Sequence, residues 1–445
     1  MNKIDVLNLE WNSYPSRDRN MATLICNYLR YNDIDVVEDS IFKGFEMIDK
    51  LQPKLLFMTN GIGSAVNFEL VKYASLKGVK VVTLTSEGNF YDSKKDIPVF
   101  FWGWNKDQHL YEEINMLWSE RTRDLTLSIY PNLSSKIKIS GGVGFDYYKI
   151  ISNVSKGDFL NTYDKSHFSR VIGVGCWVFD FNAFESPHFP AVFNKSDIIR
   201  FKKDRDDFNR ILLTLIKENP DILFLLKEHP GNTGGPYVSA IESAEKFSNA
   251  LILKEESIVD CIFVSDFWLT YESTTVIEAW LLGKQTCLLN PSGIDFSRAN
   301  VHFGSPNYPD VISLQKAVDV FYEEGILPGF ADLEEQRKKI IKDTIQWDDG
   351  LNHVRAGNEV IRILKEKKIV KRKSIPFDLR KEKWRQYLLS RGIPKKRNNF
   401  IYDKAKDFDY DALHKQCSQI YSQQINFYKT NQLSLDDLKD IKCKP

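Results

Sequence analysis

At 445 residues the chain is too long for one ordinary hydrophobic core, so two domains of roughly 150–200 residues each are expected. A hydrophobic content of 42% beside 27% charged residues fits a globular protein, and a net charge of +1 gives no overall argument for a nucleic-acid partner. The six cysteines (Cys26, Cys176, Cys261, Cys287, Cys417 and Cys443) show no CxxC spacing and read as reduced thiols. The chain enters its first strand at once, and no apolar stretch approaches the roughly 20 residues of a membrane helix. A cytoplasmic protein is expected, held on the inner face of a membrane at most peripherally.

The first 140 or so residues alternate strand and helix. Ile4–Leu9 reads as a strand and Arg19–Leu29 as an amphipathic helix. Ile34–Val37 is the next strand and Phe42–Leu51 a short helix. Leu55–Met58 is a strand closed by Asn60-Gly61-Ile62-Gly63, a helix follows from about Ala65 to Leu76, and Val79–Leu84 is the fourth strand. Val99–Trp102 and Ile137–Ile139 read as further strands with helix between them. Residues 141–168, with paired glycines and no clear period, read as the crossing between domains. This pattern predicts a doubly wound parallel sheet.

A second alternation begins at Val171-Ile172-Gly173-Val174-Gly175 and runs through a helix at Asp206–Lys217. Ile222–Leu226 is a short apolar run stopping at Lys227-Glu228-His229-Pro230-Gly231, the signature of a buried parallel strand that ends in a loop. Ile262-Phe263-Val264 reads as another strand, followed by Thr270-Tyr271-Glu272-Ser273-Thr274-Thr275, an apolar helix from Val276 to Leu282 and a strand at Thr286–Leu289. Helices then carry the chain from about Leu333 to Lys367. The boundaries expected are 1–145 for the first domain, 146–168 for a linker, 169–365 for the second domain and 366–445 for a basic helical tail.

Ligands of open α/β sheets bind off the carboxyl ends of the strands, where His229 and the Ser273-Thr274-Thr275 triplet fall. Hydroxyls and free N–H groups at a helix start suit a phosphate, and a neighbouring imidazole adds a donor. Glu278, four residues past Thr274, lies on the same helical face and suits ribose hydroxyls. Lys227, Pro230, Gly173 and Gly175 complete the expected donor-binding set, the glycines by letting backbone approach closely. Ser and Thr at a helix start also serve as caps.

On the first domain, the fourth strand ends in Thr85-Ser86-Glu87-Gly88-Asn89. Glu87 is the candidate base for an acceptor hydroxyl, with Gly88, Asn89, Asn60 and Gly61 on the acceptor side. His229 is the other candidate catalytic residue, compensating a leaving phosphate. No HxxxH, HExxH or GxSxG pattern occurs, and the Asp204-Arg205-Asp206 and Asp407-Phe408-Asp409 triplets do not follow buried strands, so neither a metal nor another cofactor is expected.

The stretch from Lys365 to Arg397 differs from the rest. It holds 14 basic residues against three acidic ones, a net of +11, with Trp384, Tyr387, Leu388 and Leu389 interrupting the charges. Such a segment either docks on anionic lipid or is a solvated helical extension.

The combination Ser86-Glu87-Gly88, His229-Pro230 and Ser273-Thr274 resembles bacterial GT-B sialyltransferases and polysialyltransferases, and is similar to the related transferases that use CMP-activated octulosonic acid. Ile137–Asp146 and the group Asp349-Gly350 with Arg355 resemble further segments of such surface-carbohydrate enzymes. The resemblance implies two Rossmann-like domains facing a cleft and a CMP-sugar donor such as Kdo or sialic acid. It implies a glycan or lipid-linked glycan acceptor, with Glu87 as base, His229 on the donor phosphate and Ser273 with Thr274 on the CMP phosphate. The acidic pair of that motif is Ser86-Glu87 here, which leaves one carboxylate. Polyol-phosphate transferases using CDP-glycerol, UDP-sugar transferases and UDP-sugar epimerases fit the same frame, as does a non-catalytic scaffold subunit.

Overall fold

The computed structural model describes residues 4–13, 16–88, 90, 92–176, 195–229, 241–293, 299–367, 370–394 and 399–444. The chain divides into two compact units, Met1–Ile151 with Lys342–Pro445, and Ser152–Ile341.

The first unit holds a six-stranded, fully parallel sheet in the order β2-β1-β3-β4-β5-β6. Its strands are β1 (Val6–Glu10), β2 (Val36–Ser40), β3 (Leu55–Met58), β4 (Lys80–Leu84), β5 (Ile114–Leu117) and β6 (Ile137–Ile139). Strands β1, β3 and β5 are buried along their whole length, and β3 accordingly reads as an unbroken apolar run. Helices α1 (Arg17–Tyr31), α2 (Gly44–Leu51), α3 (Ala65–Leu76), α4 (Ile97–Trp102), α5 (Glu120–Ile129) and α6 (Tyr147–Ile150) connect and follow them. Ser16, Ser64 and Ser119 cap α1, α3 and α5 by accepting from a backbone N–H one turn in.

The second unit holds a five-stranded parallel sheet in the order β11-β10-β7-β8-β9. Its strands are β7 (Arg170–Gly175), β8 (Ile222–Lys227), β9 (Ala250–Leu253), β10 (Phe267–Thr270) and β11 (Gln285–Leu288). Its helices are α7 (Lys156–Thr162), α8 (Lys195–Glu218), α9 (Ile241–Ala244), α10 (Ile258–Val264), α11 (Thr275–Leu281) and α12 (Val311–Glu324). One core cluster joins Ile172, Val174, Phe224 and Leu226 to Phe208, Leu212 and Leu215 of α8. A second packs Leu223, Leu225 and Trp268 against Cys261 and Ile262 of α10.

Beyond α13 (Glu334–Ile345) come α14 (Asn352–Lys365), α15 (Phe377–Leu389), α16 (Phe400–Lys406), α17 (Tyr410–Thr430) and α18 (Leu435–Asp440). These helices return to the first unit. Ala356, Val360 and Ile363 of α14 share a core with Val6, Met21, Ile25, Phe57 and Val82. Lys444 pairs with Ile139 on the edge of β6 through bonds of 3.0 and 3.2 Å.

Several local expectations change. Ile262-Phe263-Val264 is the end of helix α10, and the strand comes three residues later as β10. Val99–Trp102 lies in helix α4, which starts with Pro98 in its first turn, where the missing N–H costs nothing. Strands β5 and β9 are additions. The segment expected as linker carries α7, whose Phe159 and Leu160 are buried in the second unit's core. Residues 342–365, expected with the second domain, group with the first unit.

Candidate functional site

In the second unit the chain runs from β7 outward to β8 and β9, then returns to the other side of β7 as β10. The β7/β10 boundary is therefore the topological switch point of the sheet, where the connecting segments leave in opposite directions and a crevice opens. The strand ends are level there, since Thr270 pairs with Gly175 and Gly175 with Lys227. His229, two residues past β8, and Ser273, three past β10, thus leave the same sheet edge on either side of β7, two strand spacings or roughly 10 Å apart at the strand level.

The loop after β10 is pinned from beneath. Tyr271, fully buried, donates to Asp204 Oδ2 at 2.7 Å, and Ser292 Oγ donates to Asp204 Oδ1 at 2.5 Å. Burial raises the pKa of Asp204 against these two bonds. Glu272, also buried, accepts from Asn290 Nδ2 at 3.0 Å. Asp204 is therefore a structural anchor of the site loop, and among the described residues no group of His, Cys, Asp and Glu could hold a metal ion.

Within the Ser/Thr triplet, Ser273 Oγ accepts from Thr275 N at 3.3 Å and from Thr275 Oγ1 at 3.0 Å, while Trp268 Nε1 donates to Thr275 Oγ1 at 2.9 Å. Val276 N and Ile277 N bond Ser273 O and Thr274 O. The first N–H groups of α11 are thus engaged within the turn, and any anion here meets chiefly the hydroxyls of Ser273 and Thr274. Thr275 serves the Trp268 indole. Glu278 stands half-buried one turn along the same helix.

On β8, Lys227 is buried and its ammonium donates to Lys254 O at 2.5 Å, so its charge is fixed just beneath the strand end. Glu228 pairs with Lys254 at 3.4 Å. Partial burial, then the Lys227 charge, lowers the pKa of His229 below the ordinary 6.5, which leaves the imidazole uncharged at neutral pH. Pro230 lies outside the described residues. Gly173 and Gly175 face Trp268: a Cβ on Gly173 would stand 2.3 Å from Ser265 Oγ and 2.4 Å from the Trp268 ring, and one on Gly175 3.1 Å from the same ring. Packing of this indole accounts for both glycines.

In the first unit the switch point lies between β1 and β3. There sits a residue the sequence reading passed over. Glu10, the last residue of β1, is 2% exposed and accepts from Asn8 Nδ2 (3.0 Å), Thr59 N (3.0 Å) and Thr59 Oγ1 (2.7 Å). Desolvation first, with Asp18 adding to it and Arg19 and Thr59 opposing, lifts its pKa to about 7. A carboxyl poised near neutrality at a strand end is the environment of an acid–base group. The only sequence signal was a Glu ending an apolar strand.

Beside it, Asn60 Nδ2 donates to Ser86 Oγ at 2.8 Å, tying the loop after β3 to the loop after β4. Glu87 is 75% exposed on its side chain and pairs with Arg17 at 2.7 Å. Gly88 and Gly61 are required by neighbours, since a Cβ would come within 2.3 Å of Trp118 and 2.7 Å of Thr83 respectively. Asn89 lies outside the described residues. Asp146 holds the start of α14, and Asp349 pairs with Arg355 of the same helix. Asp146 accepts from Asn352 Nδ2 (2.9 Å), His353 N (2.6 Å) and His353 Nδ1 (2.8 Å), and Arg355 pairs with Asp349 at 2.5 Å.

With this geometry in hand, the chain matches no protein-family model and no curated protein sequence. Solved structures do match it in fold. A Listeria monocytogenes protein described as a UDP-N-acetylglucosamine 2-epimerase is 11% identical, with a TM-score of 0.53, over 84% of this chain and 100% of that one. S. aureus MnaA, solved with UDP, is 13% identical with a TM-score of 0.52 over 81% of this chain and 97% of that one. A further UDP-N-acetylglucosamine 2-epimerase is 13% identical with a TM-score of 0.52, covering 85% and 100%. At these identities the likeness is one of fold: two parallel sheets with surrounding helices, of the GT-B type, with a helical C-terminal region added.

Proposed function

We propose that the chain is a nucleotide-sugar enzyme of the GT-B type that acts on a UDP-activated sugar, epimerising or transferring it. One observation carries this reading. Ser273 and Thr274 hydroxyls and the His229 imidazole leave level strand ends at the switch point of the second sheet, on a loop held by Tyr271–Asp204 and Glu272–Asn290. The fold likeness to proteins described as UDP-sugar epimerases, one solved with UDP, supports uridine over cytidine. Uncharged His229 donates a hydrogen bond to a phosphate oxygen, and the incoming negative charge favours its protonation. Glu278 takes the ribose hydroxyls. Glu10 and Glu87 are the acid–base candidates of the first unit, Glu10 by its environment and Glu87 by its accessibility. If the reaction is transfer, the acceptor is a glycan or a lipid-linked glycan.

A CMP-activated acidic sugar is the second reading, favoured by the His229-Pro230 and Ser273-Thr274 motifs. Thermal shifts with UDP, CMP and CDP, with and without EDTA, on wild type and His229→Ala distinguish them, because a ligand stabilises in proportion to its affinity for the folded state. Selective stabilisation by UDP, weakened in the variant, is expected. Incubation with UDP-N-acetylglucosamine, followed by proton NMR of the sugar, then reads epimerisation as a new C2 epimer and hydrolysis or transfer as released UDP. Stabilisation by CMP alone would replace the first reading by the second, and no shift with any nucleotide would sink both.

A further inference from the structure

Helix α15 is held against the first unit by one face only. Leu379 and Gln386 point inward, Leu379 joining the core of Phe42, Phe45 and Ile401. Lys383 is ion-paired with Asp49 and donates to Tyr73 OH at 3.1 Å, and Arg391 just past the helix reaches Glu46 at 3.1 Å. With its inward face fixed, the outward face is fixed too. Residues 377, 381, 384 and 388 recur at helical spacing on that side, with 380 and 387 at its edge.

That face is apolar and basic together. Phe377 is 75% exposed and Trp384 62%, with Tyr387 and Leu388 at 38% and 40%. Arg380 and Lys381 are exposed among them, Arg391 is exposed but paired with Glu46, and the flanks carry exposed Asp378 and the Glu382–Arg385 pair. Trp384 and Tyr387 pack edge to face at 5.6 Å, and the Arg391 guanidinium lies 3.7 Å over the Tyr387 ring. The stretch before the helix adds exposed Lys371, Arg372 and Lys373. Beside Trp384 and Tyr387 opens a groove of about 480 Å³, lined by Phe42 and Phe45 and by the charged Lys43, Glu46 and Asp49.

Large aromatics are costly to leave in water, and a solvated extension does not need four apolar side chains on its outer face. An acidic protein or a polynucleotide would answer the charge but not Phe377, Trp384 and Leu388. A bilayer with anionic headgroups answers both, since the aromatics settle at the interface and the cations meet the lipid charge. We infer that the outward face of α15 is a docking surface for an anionic lipid bilayer, binding it peripherally. No described helix is long and apolar enough to cross one. This inference is independent of the nucleotide reading.

The test uses the full chain and vesicles of phosphatidylcholine, pure or with about a third phosphatidylglycerol. Wild type is expected to sediment with the anionic vesicles and to be released by raising the salt. Arg380→Glu with Lys381→Glu should weaken binding at least about 25-fold, from roughly fivefold for each of the two charges lost. Trp384→Ser with Leu388→Ser should weaken it by about tenfold as well through lost apolar burial. Circular dichroism and the melting temperature should stay at wild-type values, because all four side chains are exposed. Three results would overturn the inference: no preference for anionic vesicles, binding untouched by the Trp384/Leu388 variant, or heparin binding that rivals lipid binding and ignores those apolar residues.

Discussion

Glu10→Gln tests a buried carboxyl at the switch point of the first unit. An acid whose pKa is about 7 when folded and an ordinary 4.5 when unfolded holds its proton more tightly in the native state. Its contribution to stability is therefore fully present below pH 4.5 and is lost as the pH rises through 7. The difference corresponds to about 3 kcal/mol at pH 8, each pKa step of one being 1.36 kcal/mol. Gln carries no charge at any of these pH values, and its carbonyl oxygen still accepts from Thr59 N and Asn8 Nδ2. Glu10→Gln should therefore match wild type near pH 4.5 and exceed it by about 1–3 kcal/mol at pH 8, less whatever the Thr59 hydroxyl bond is worth. Urea unfolding followed by circular dichroism at pH 5, 6, 7 and 8 reads the effect as a widening gap between the two midpoints. Because the chain has two units, the transition assigned to the first unit is the one to compare. Parallel midpoints across this range would show that the carboxyl is ionised in the native state at all of them and would refute the reasoning. Activity of the same variant separates the roles: a stabilised but inactive protein makes Glu10 an acid–base group, a stabilised and active one makes it structural.

Other outcomes follow from the same geometry. Nucleotide affinity should rise as the pH falls towards the lowered pKa of His229, because the bound phosphate favours the protonated ring; titration calorimetry at pH 6 and 8 reads this, and His229→Gln should remove it while weakening binding about tenfold. Asp146→Ala leaves Asn352 Nδ2, His353 N and His353 Nδ1 without their buried acceptor and should cost about 3–5 kcal/mol in denaturant unfolding, Asp146→Asn less. Gly173→Ala puts a methyl group 2.3 Å from Ser265 Oγ and should destabilise the second unit by about 2–3 kcal/mol, measured as a lower melting temperature, with nucleotide affinity falling only as the loop after β10 is displaced.

Much of the frame is legible because buried parallel strands are apolar runs closed by turn residues: Leu55–Met58, Lys80–Leu84 and Ile222–Lys227 announce themselves. Short runs are where reading fails. Ile262-Phe263-Val264 has strand composition, yet it is the last turn of a helix whose partners Leu223 and Trp268 lie elsewhere in the chain. Strand β5 hides because Asn115 interrupts it, and Asn115 is tolerated because Thr83 takes its amide at 3.0 Å. Nothing local says that the apolar face of α14 packs under the first sheet rather than the second, since either offers an apolar surface. Glu10 is invisible for the same reason: its pKa is raised first by burial among segments distant in the sequence, with Asp18 adding and Arg19 and Thr59, 49 residues on, opposing. Composition cannot show that Trp268 and Trp118 occupy the space that side chains at Gly173 and Gly88 would need.

The two switch points differ in charge, and that difference bears on how the labour is divided. Glu10, Asp18 and Glu87 gather at the strand ends of the first unit, and repulsion from Glu87 as well as burial holds Asp18 above its ordinary value. A diphosphate placed beside these acidic groups would meet repulsion, and among the described residues Arg17, paired with Glu87, and Arg19 stand against it. At the β7/β10 boundary stand hydroxyls, an uncharged imidazole, the fixed Lys227 ammonium and the Glu278 carboxylate one turn along, while Glu228 is paired with Lys254 and Asp204 and Glu272 are turned into bonds below the loop. A nucleotide phosphate is cheapest there, and proton transfer is cheapest where a carboxyl already titrates near neutrality. Under the proposed function, this charge pattern favours nucleotide binding at the β7/β10 boundary, whichever sugar the donor carries.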